Sequence, residues 1–201
     1  SFFRDIKPFD HIKEYVLPHF QLYNPDATSM RIWSAACSSG QEPYSLAMTF
    51  LDPVVTKMGI TAEIIATDID STMLEKAQNG LYTQFEVQRG LPVQMLLRYF
   101  KQLESYGDKW QISDTLRKMV TFRQKNLIDD FSDMGRFDLI FCRNVLIYFE
   151  DGTKQEVLKK LARCLTPHGL LILGSTESLS HLDTPLTPFK NLNGIFCLKG
   201  T

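Results

Sequence analysis

The apolar runs constrain this chain more than any other feature. "RIWSAAC" (31–37), "AEIIATDID" (62–70), "FDLIFCRNVLIYF" (137–149) and "GLLILG" (169–174) carry apolar residues next to one another rather than at every second position. A strand read this way is buried on both of its faces, as in a parallel sheet covered by helices. "MVTFRQKNL" (119–127) reads as a further strand of the same sheet. Helical stretches separate the runs. In "DGTKQEVLKKLARCL", Val157, Leu158, Leu161, Ala162 and Leu165 fall on one face. "STMLEKAQNG" offers Ser71 and Thr72 as N-caps, Glu75 as a capping-box partner and Gly80 as its stop. Strand–helix alternation, closed by a hairpin signal at Asn193-Gly194, predicts one doubly wound α/β domain over 1–201.

Two segments stand outside this rhythm. Residues 1–25 form an N-terminal helix and linker, with Phe9, Ile12, Tyr15 and Val16 at helical spacing, Pro8 near the start and Pro18 near the end. A start on Ser-Phe-Phe is expected of a trimmed piece. Residues 81–118 are expected to form a small antiparallel β insertion. It would hold an amphipathic helix (Val93, Leu96, Leu97, Phe100), a turn at Tyr106-Gly107-Asp108 and alternating residues around Trp110 and Ile112. Trp110 and Phe122 are expected in the core. Pro53 should kink or end the helix that starts near Pro43.

A net charge of −1 with no dense Lys/Arg block argues against a nucleic-acid partner, because neutralising phosphates needs a basic face. Cys37, Cys142, Cys164 and Cys197 form no CxxC pair and sit mostly in apolar runs, as buried thiols of a reduced compartment do. The histidines make no ligand spacing, so no metal is expected. No run reaches membrane-spanning length, and a cytoplasmic, monomeric protein is expected.

In an open α/β sheet, ligands bind beyond the carboxyl ends of the strands. Three such ends carry polar signals: Ser38-Ser39-Gly40 with Glu42 after the first run, Asp68 after the second, and Arg143-Asn144 within the third. Small residues let a ligand approach the backbone. An acid after the second strand is placed to accept hydrogen bonds from ribose hydroxyls. The dinucleotide fingerprint GxGxxG is missing, and Glu42 would repel a pyrophosphate. A nucleoside that carries positive charge fits instead, and S-adenosylmethionine has a sulfonium, an ammonium and a ribose. The plainer alternative makes Glu42 and Asp68 helix-capping or dipole residues. Asp70 reads as a helix cap. Arg143 and Asn144 break an apolar run, where an unpaired guanidinium would be costly, so they must face a ligand, an acid or water. Tyr148 reads more readily as a core aromatic with a wet tip. Glu177 either shapes the pocket or caps a helix.

"RIWSAACSSGQEPYSLAM", "IIATDID", "FDLIFCRNVLIYF" and "GLLILGSTESL" together resemble the chemotaxis receptor methyltransferase (CheR) family, from Phe2 to about Lys199. The resemblance implies a Rossmann-like class I S-adenosylmethionine methyltransferase fold. It also implies methyl transfer to glutamate side chains in the cytoplasmic domain of methyl-accepting chemotaxis receptors. It further implies cofactor contacts from Arg4, Ser38, Glu42, Asp68, Asn126, Leu127, Arg143 and Asn144. The catalytic candidates are Arg143, either holding one acceptor carboxylate oxygen or supporting the cofactor, and Tyr148, whose hydroxyl would align the acceptor. The family's N-terminal helical domain and the Thr-rich segment before Phe-Phe-Arg are absent from this sequence. Gln41 stands where many members have an acid, and 105–109 lacks a Gly-Pro loop. Displacement at a sulfonium by an ionised carboxylate needs no general base, and none is visible. The rival readings are a methyltransferase with another substrate and a non-catalytic S-adenosylmethionine sensor.

Overall fold

The computed structural model describes residues 1–103 and 108–200. In chain order the strands are β1 Ser29–Ala35, β2 Thr61–Asp68, β3 Leu81–Thr83, β4 Phe100–Leu103, β5 Lys109–Ile112, β6 Val120–Gln124, β7 Phe137–Cys142, β8 Leu165–Leu173, β9 Leu186–Pro188 and β10 Ile195–Leu198. The helices are α1 Lys7–His11, α2 Leu17–Tyr23, α3 Gln41–Phe50, α4 Pro53–Thr56, α5 Ser71–Asn79, α6 Gln84–Gln88, α7 Val93–Tyr99, α8 Asp114–Lys118 and α9 Asp151–Arg163.

The apolar runs become the middle of a seven-stranded sheet of order β6-β2-β1-β7-β8-β10-β9. Its first five strands pair in parallel, and β10 and β9 close it antiparallel. Both faces are covered, which is why the runs do not alternate. Ile32, Ile64, Leu139 and Leu170 pack into one core with α1 to α3. Their neighbours Trp33, Ile65, Ile140 and Leu171 pack into a second core under α9. The chain winds outward from β1 through β2 to β6, then returns to the other side of β1 as β7 and β8. The reversal falls between β1 and β7, and it opens a crevice at their carboxyl ends.

Pro53 opens α4 at a position where its missing N–H costs nothing, with Asp52 capping Val54 N at 2.9 Å. Gly80 ends α5 in the left-handed conformation. Elsewhere the expectations need correction. Neither Ser71 nor Thr72 caps α5; Asp70 does, as its own reading expects, accepting from Thr72 N and Met73 N. Pro18 does not end the first helix. The turn before it widens to a π-helix over Ile12–Val16, and α2 runs through the proline. Such a bulge relieves the clash between a proline ring and the preceding turn. The third run is a strand only as far as Cys142. Beyond it Asn144 takes a left-handed φ of 58° and Leu146–Tyr148 form a 3₁₀ turn.

The insertion holds a three-stranded antiparallel sheet of order β3-β5-β4. The turn expected at Tyr106-Gly107-Asp108 lies, apart from Asp108, outside the described residues. Phe100 starts β4 rather than ending a helix, and Val93 and Leu97 are exposed, so the buried side of α7 is not the one expected. Trp110 is only half-buried, and its indole donates to Gln84 Oε1 at 2.6 Å. Phe122 is also half-buried, packed edge-on to Tyr44. The insertion nevertheless shares the main core. Tyr82, Val87, Phe100 and Ile112 join the cluster that contains Phe2 and Leu74.

Tyr82 links this insertion to the loop after β1. Its ring meets Phe2 edge-on at 5.0 Å, and its hydroxyl donates to Ser39 O at 2.8 Å in a buried position. Tyr82→Phe should cost about 1–3 kcal/mol, because it leaves the buried Ser39 carbonyl without its donor. Urea denaturation measures this, and an unchanged midpoint would mean that Ser39 O finds another donor.

Candidate functional site

Because β1, β2, β6, β7 and β8 run parallel, their following loops gather on one edge. The loop after β1 is the most contorted. Ala36, Ser38 and Gly40 have φ of 54°, 50° and 88°. Left-handed φ costs a non-glycine residue roughly 1 kcal/mol or more, so the surroundings must hold it. They do so through Cys37 N to Thr67 O at 2.9 Å, Ser38 N to Asp68 Oδ2 at 2.7 Å and the Tyr82 bond to Ser39 O. Only glycine fits at position 40, where a Cβ would lie 2.8 Å from Ala77 Cβ.

Asp68 is the hinge between two strand ends. One carboxylate oxygen accepts from Ser38 N and the other from Asp70 N at 3.0 Å. Each oxygen keeps lone-pair capacity for a further donor, and the side chain cannot swing away. The apolar residue after it, Ile69, is exposed, as is Ile128 beyond the adjoining strand β6. Exposed isoleucines on neighbouring strand ends offer apolar surface to a flat ring. Nothing in the apolar pattern marked them, because both lie just past the strands.

The second polar centre is Arg143, whose side chain is 1% exposed. Nη1 donates to Glu42 Oε2 at 3.2 Å, and Nη2 donates to Asp5 Oδ2 at 2.8 Å and to Arg4 O at 2.9 Å. Glu42 also accepts from Ser34 Oγ at 2.8 Å. Burial pushes the Glu42 carboxyl above its ordinary range, against the opposing pull of Arg143 and the Ser34 hydroxyl. The acid that Arg143 needs is thus supplied twice. Asp5 was not legible beforehand, since only the fold brings "FFRD" over β7. Arg143 Nε is buried with no partner among the described residues, a donor left over for a ligand or water.

The other expected residues fall around this edge. Arg4 is exposed, and its carbonyl is what ties it to Arg143. Asn126 is half-buried and accepts from Ile128 N at 3.2 Å, while Leu127 is buried in the α9-side core. Asn144 stands at the bend after β7, and Glu177 accepts from its N–H at 2.9 Å. Tyr148 is 79% exposed, which overturns its reading as a core aromatic. Burial drives the Cys37 and Cys142 thiols far above their usual range, so neither presents a thiolate at neutral pH.

The donor set fits a nucleoside with positive charge. An acid at a strand end (Asp68), another in the first turn of α3 (Glu42), a loop approachable at its backbone and an orphaned Arg143 Nε suit a ribose, a cationic group and a carboxylate. The family described as "CheR methyltransferase, SAM binding domain" matches residues 1–194. Similar relatives include "Chemotaxis protein methyltransferase Cher2" of Pseudomonas putida, 41% identical over 90% of this chain and 66% of its own length. "Chemotaxis protein methyltransferase 1" of Pseudomonas aeruginosa is 42% identical over 90% and 66%, and the Vibrio parahaemolyticus chemotaxis protein methyltransferase 43% over 90% and 64%. The chain therefore spans just under two thirds of these relatives' lengths. A solved S-adenosylmethionine-dependent methyltransferase from Clostridium acetobutylicum aligns with a TM-score of 0.46 at 15% identity over 82% of this chain and 49% of that one, too loosely to bear on function.

If Asp68 receives the ribose, Asp68→Ala should weaken S-adenosylhomocysteine binding about thirtyfold, roughly 2 kcal/mol. Titration calorimetry on the folded variant reads this directly. Unchanged affinity removes Asp68 from the site.

Proposed function

This chain belongs to the CheR methyltransferase family, and we propose that it methylates glutamate side chains in the cytoplasmic domain of chemoreceptors, using S-adenosylmethionine. The observation that supports the cofactor half is Asp68, held by Ser38 N and Asp70 N beside a loop that lacks a phosphate cradle. The acceptor half comes from the relatives' names as chemotaxis protein methyltransferases. No helix among the described residues is long and apolar enough to cross a membrane. The reaction is placed in the cytoplasm because the proposed acceptor is the receptors' cytoplasmic domain.

The bound cofactor supplies a methyl group on a positively charged sulfur, already activated for displacement. What this chain adds is binding, orientation and electrostatics. Asp68 receives hydroxyl donors, and Asn126 stands at the adjoining strand end. Glu42 contributes negative charge where the cofactor is positive. Arg143, already paired with Glu42 and Asp5, serves as a buried support for that wall rather than as a clamp on the acceptor. A tight clamp on the acceptor carboxylate would stabilise the ground state and slow attack. The acceptor is ionised at neutral pH, so no base is required. Tyr148, exposed at the same edge, aligns the acceptor through its hydroxyl. The insertion supplies further receptor-facing surface, with Phe85, Val93 and Leu97 exposed on α6 and α7.

With radiolabelled cofactor and receptor cytoplasmic fragments, label should enter the receptor and leave as volatile methanol after mild alkali. Tyr148→Phe should slow turnover and leave cofactor affinity near wild type. Alkali-stable label, or label on nucleic acid alone, would mean another acceptor. Binding without any transfer would mean a sensor. Equal loss of turnover and affinity in Tyr148→Phe would give that residue a pocket-shaping role instead.

A further inference from the structure

Glu177 is 8% exposed, on the turn that follows β8. Its carboxylate accepts four backbone N–H groups: Oε2 from Asn144 at 2.9 Å and Gly174 at 2.6 Å, Oε1 from Val145 at 3.1 Å and Leu146 at 2.9 Å. That occupies all four lone-pair sites of an ionised carboxylate. A buried anion is tolerable only with such charge-assisted donors. The three consecutive donors belong to the bend that turns the chain from Arg143 to the 3₁₀ turn bearing Tyr148. They include Asn144 at its left-handed φ of 58°.

Beside the bend opens a pocket of about 160 Å³, lined by Leu146, Ile147, Leu158 and Glu177 together with polar groups such as Lys154 and His181. Gly174 is required by the same arrangement, since a Cβ there would lie 2.7 Å from Glu177 Oε2 and 2.8 Å from Asn144 Nδ2. The loops after β7 and β8 are therefore joined through one side chain.

We propose that Glu177 is a positioning residue for methyl transfer: its ionised carboxylate latches the bend after β7 and so sets where Tyr148 meets the acceptor. This rests on the reading of that edge as the methyl-transfer site. Glutamine is not a conservative replacement. Its amide nitrogen would set two N–H donors against backbone N–H donors that need an acceptor.

The test uses the whole chain. Glu177→Gln should lower kcat on receptor fragments roughly tenfold or more, as small displacements of positioning groups do. Its affinity for S-adenosylhomocysteine should stay within about fivefold, because Asp68 and Glu42 are untouched and Asn144 is the one expected cofactor contact bonded to Glu177. Hydrogen exchange should quicken at Asn144, Val145, Leu146 and Gly174 while β1, β2 and α9 keep their protection. A folded variant with wild-type kcat would overturn the proposal, as would uniform loss of protection with unchanged kcat per folded molecule. Should Glu177→Gln not fold, Gly174→Ala presses on the same latch with its charge intact and should show the same split. In the wild type the four amides should exchange as one set, and independent exchange would contradict the latch. An inactive wild type would instead sink the assignment of function, and the exchange pattern would still decide whether the latch exists.

Discussion

Placing a guanidinium in the interior beside the sheet is the constraint on which the rest of this site depends. Arg143 follows immediately on a fully buried cysteine, with its side chain 1% exposed. An unpaired charge there would cost several kcal/mol. Glu42 from the start of α3 and Asp5 from the N-terminal segment compensate it, and Ser34 on β1 satisfies Glu42 in turn. One interaction thus joins β1, α3, β7 and the first residues of the chain across the crevice between β1 and β7. The contorted loop before Glu42 is held at its other end by Asp68 and Tyr82. A shift at any of these points moves the others.

The proposed methyl transfer asks for this kind of rigidity. Displacement at an activated methyl group needs alignment more than proton transfer, and the fixed donors and acceptors of this edge suit that need. The carboxylates do different work according to their surroundings. Asp68 is half-exposed and keeps acceptor capacity at the edge, Glu42 is spent largely on Arg143, and Glu177 is spent wholly on backbone N–H groups. Their positions on successive loops follow from the parallel sheet, which sends every strand's exit to the same side.

Much of this was legible because burial on both faces leaves a plain mark: runs such as 62–68 could be little else than inner strands. Gly80 and Pro53 could be placed because each has a local reason tied to its own neighbours. What escaped depends on long-range contacts. The strand reading of 137–149 ran past Cys142 because Val145, Leu146 and Ile147 continue the apolar pattern, while the bend is imposed by Glu177, over thirty residues away. Tyr148 looked like core for the same reason and stands in solvent. Pro18 failed as a stop signal because a π turn absorbs it. Asp5 carried no pattern at all, and only tertiary structure brings it to Arg143.

The most direct test of this account is a thermodynamic cycle on the buried pair: Arg143→Met, Glu42→Gln and the double variant, each unfolded by urea. Arg143→Met alone should cost about 3–5 kcal/mol, because it leaves Glu42 buried beside no cation. The double variant should recover a large part of that loss, giving a coupling of roughly 1 kcal/mol or more. Additive effects, with coupling within about 0.5 kcal/mol, would contradict the claim that this ion pair holds the crevice together.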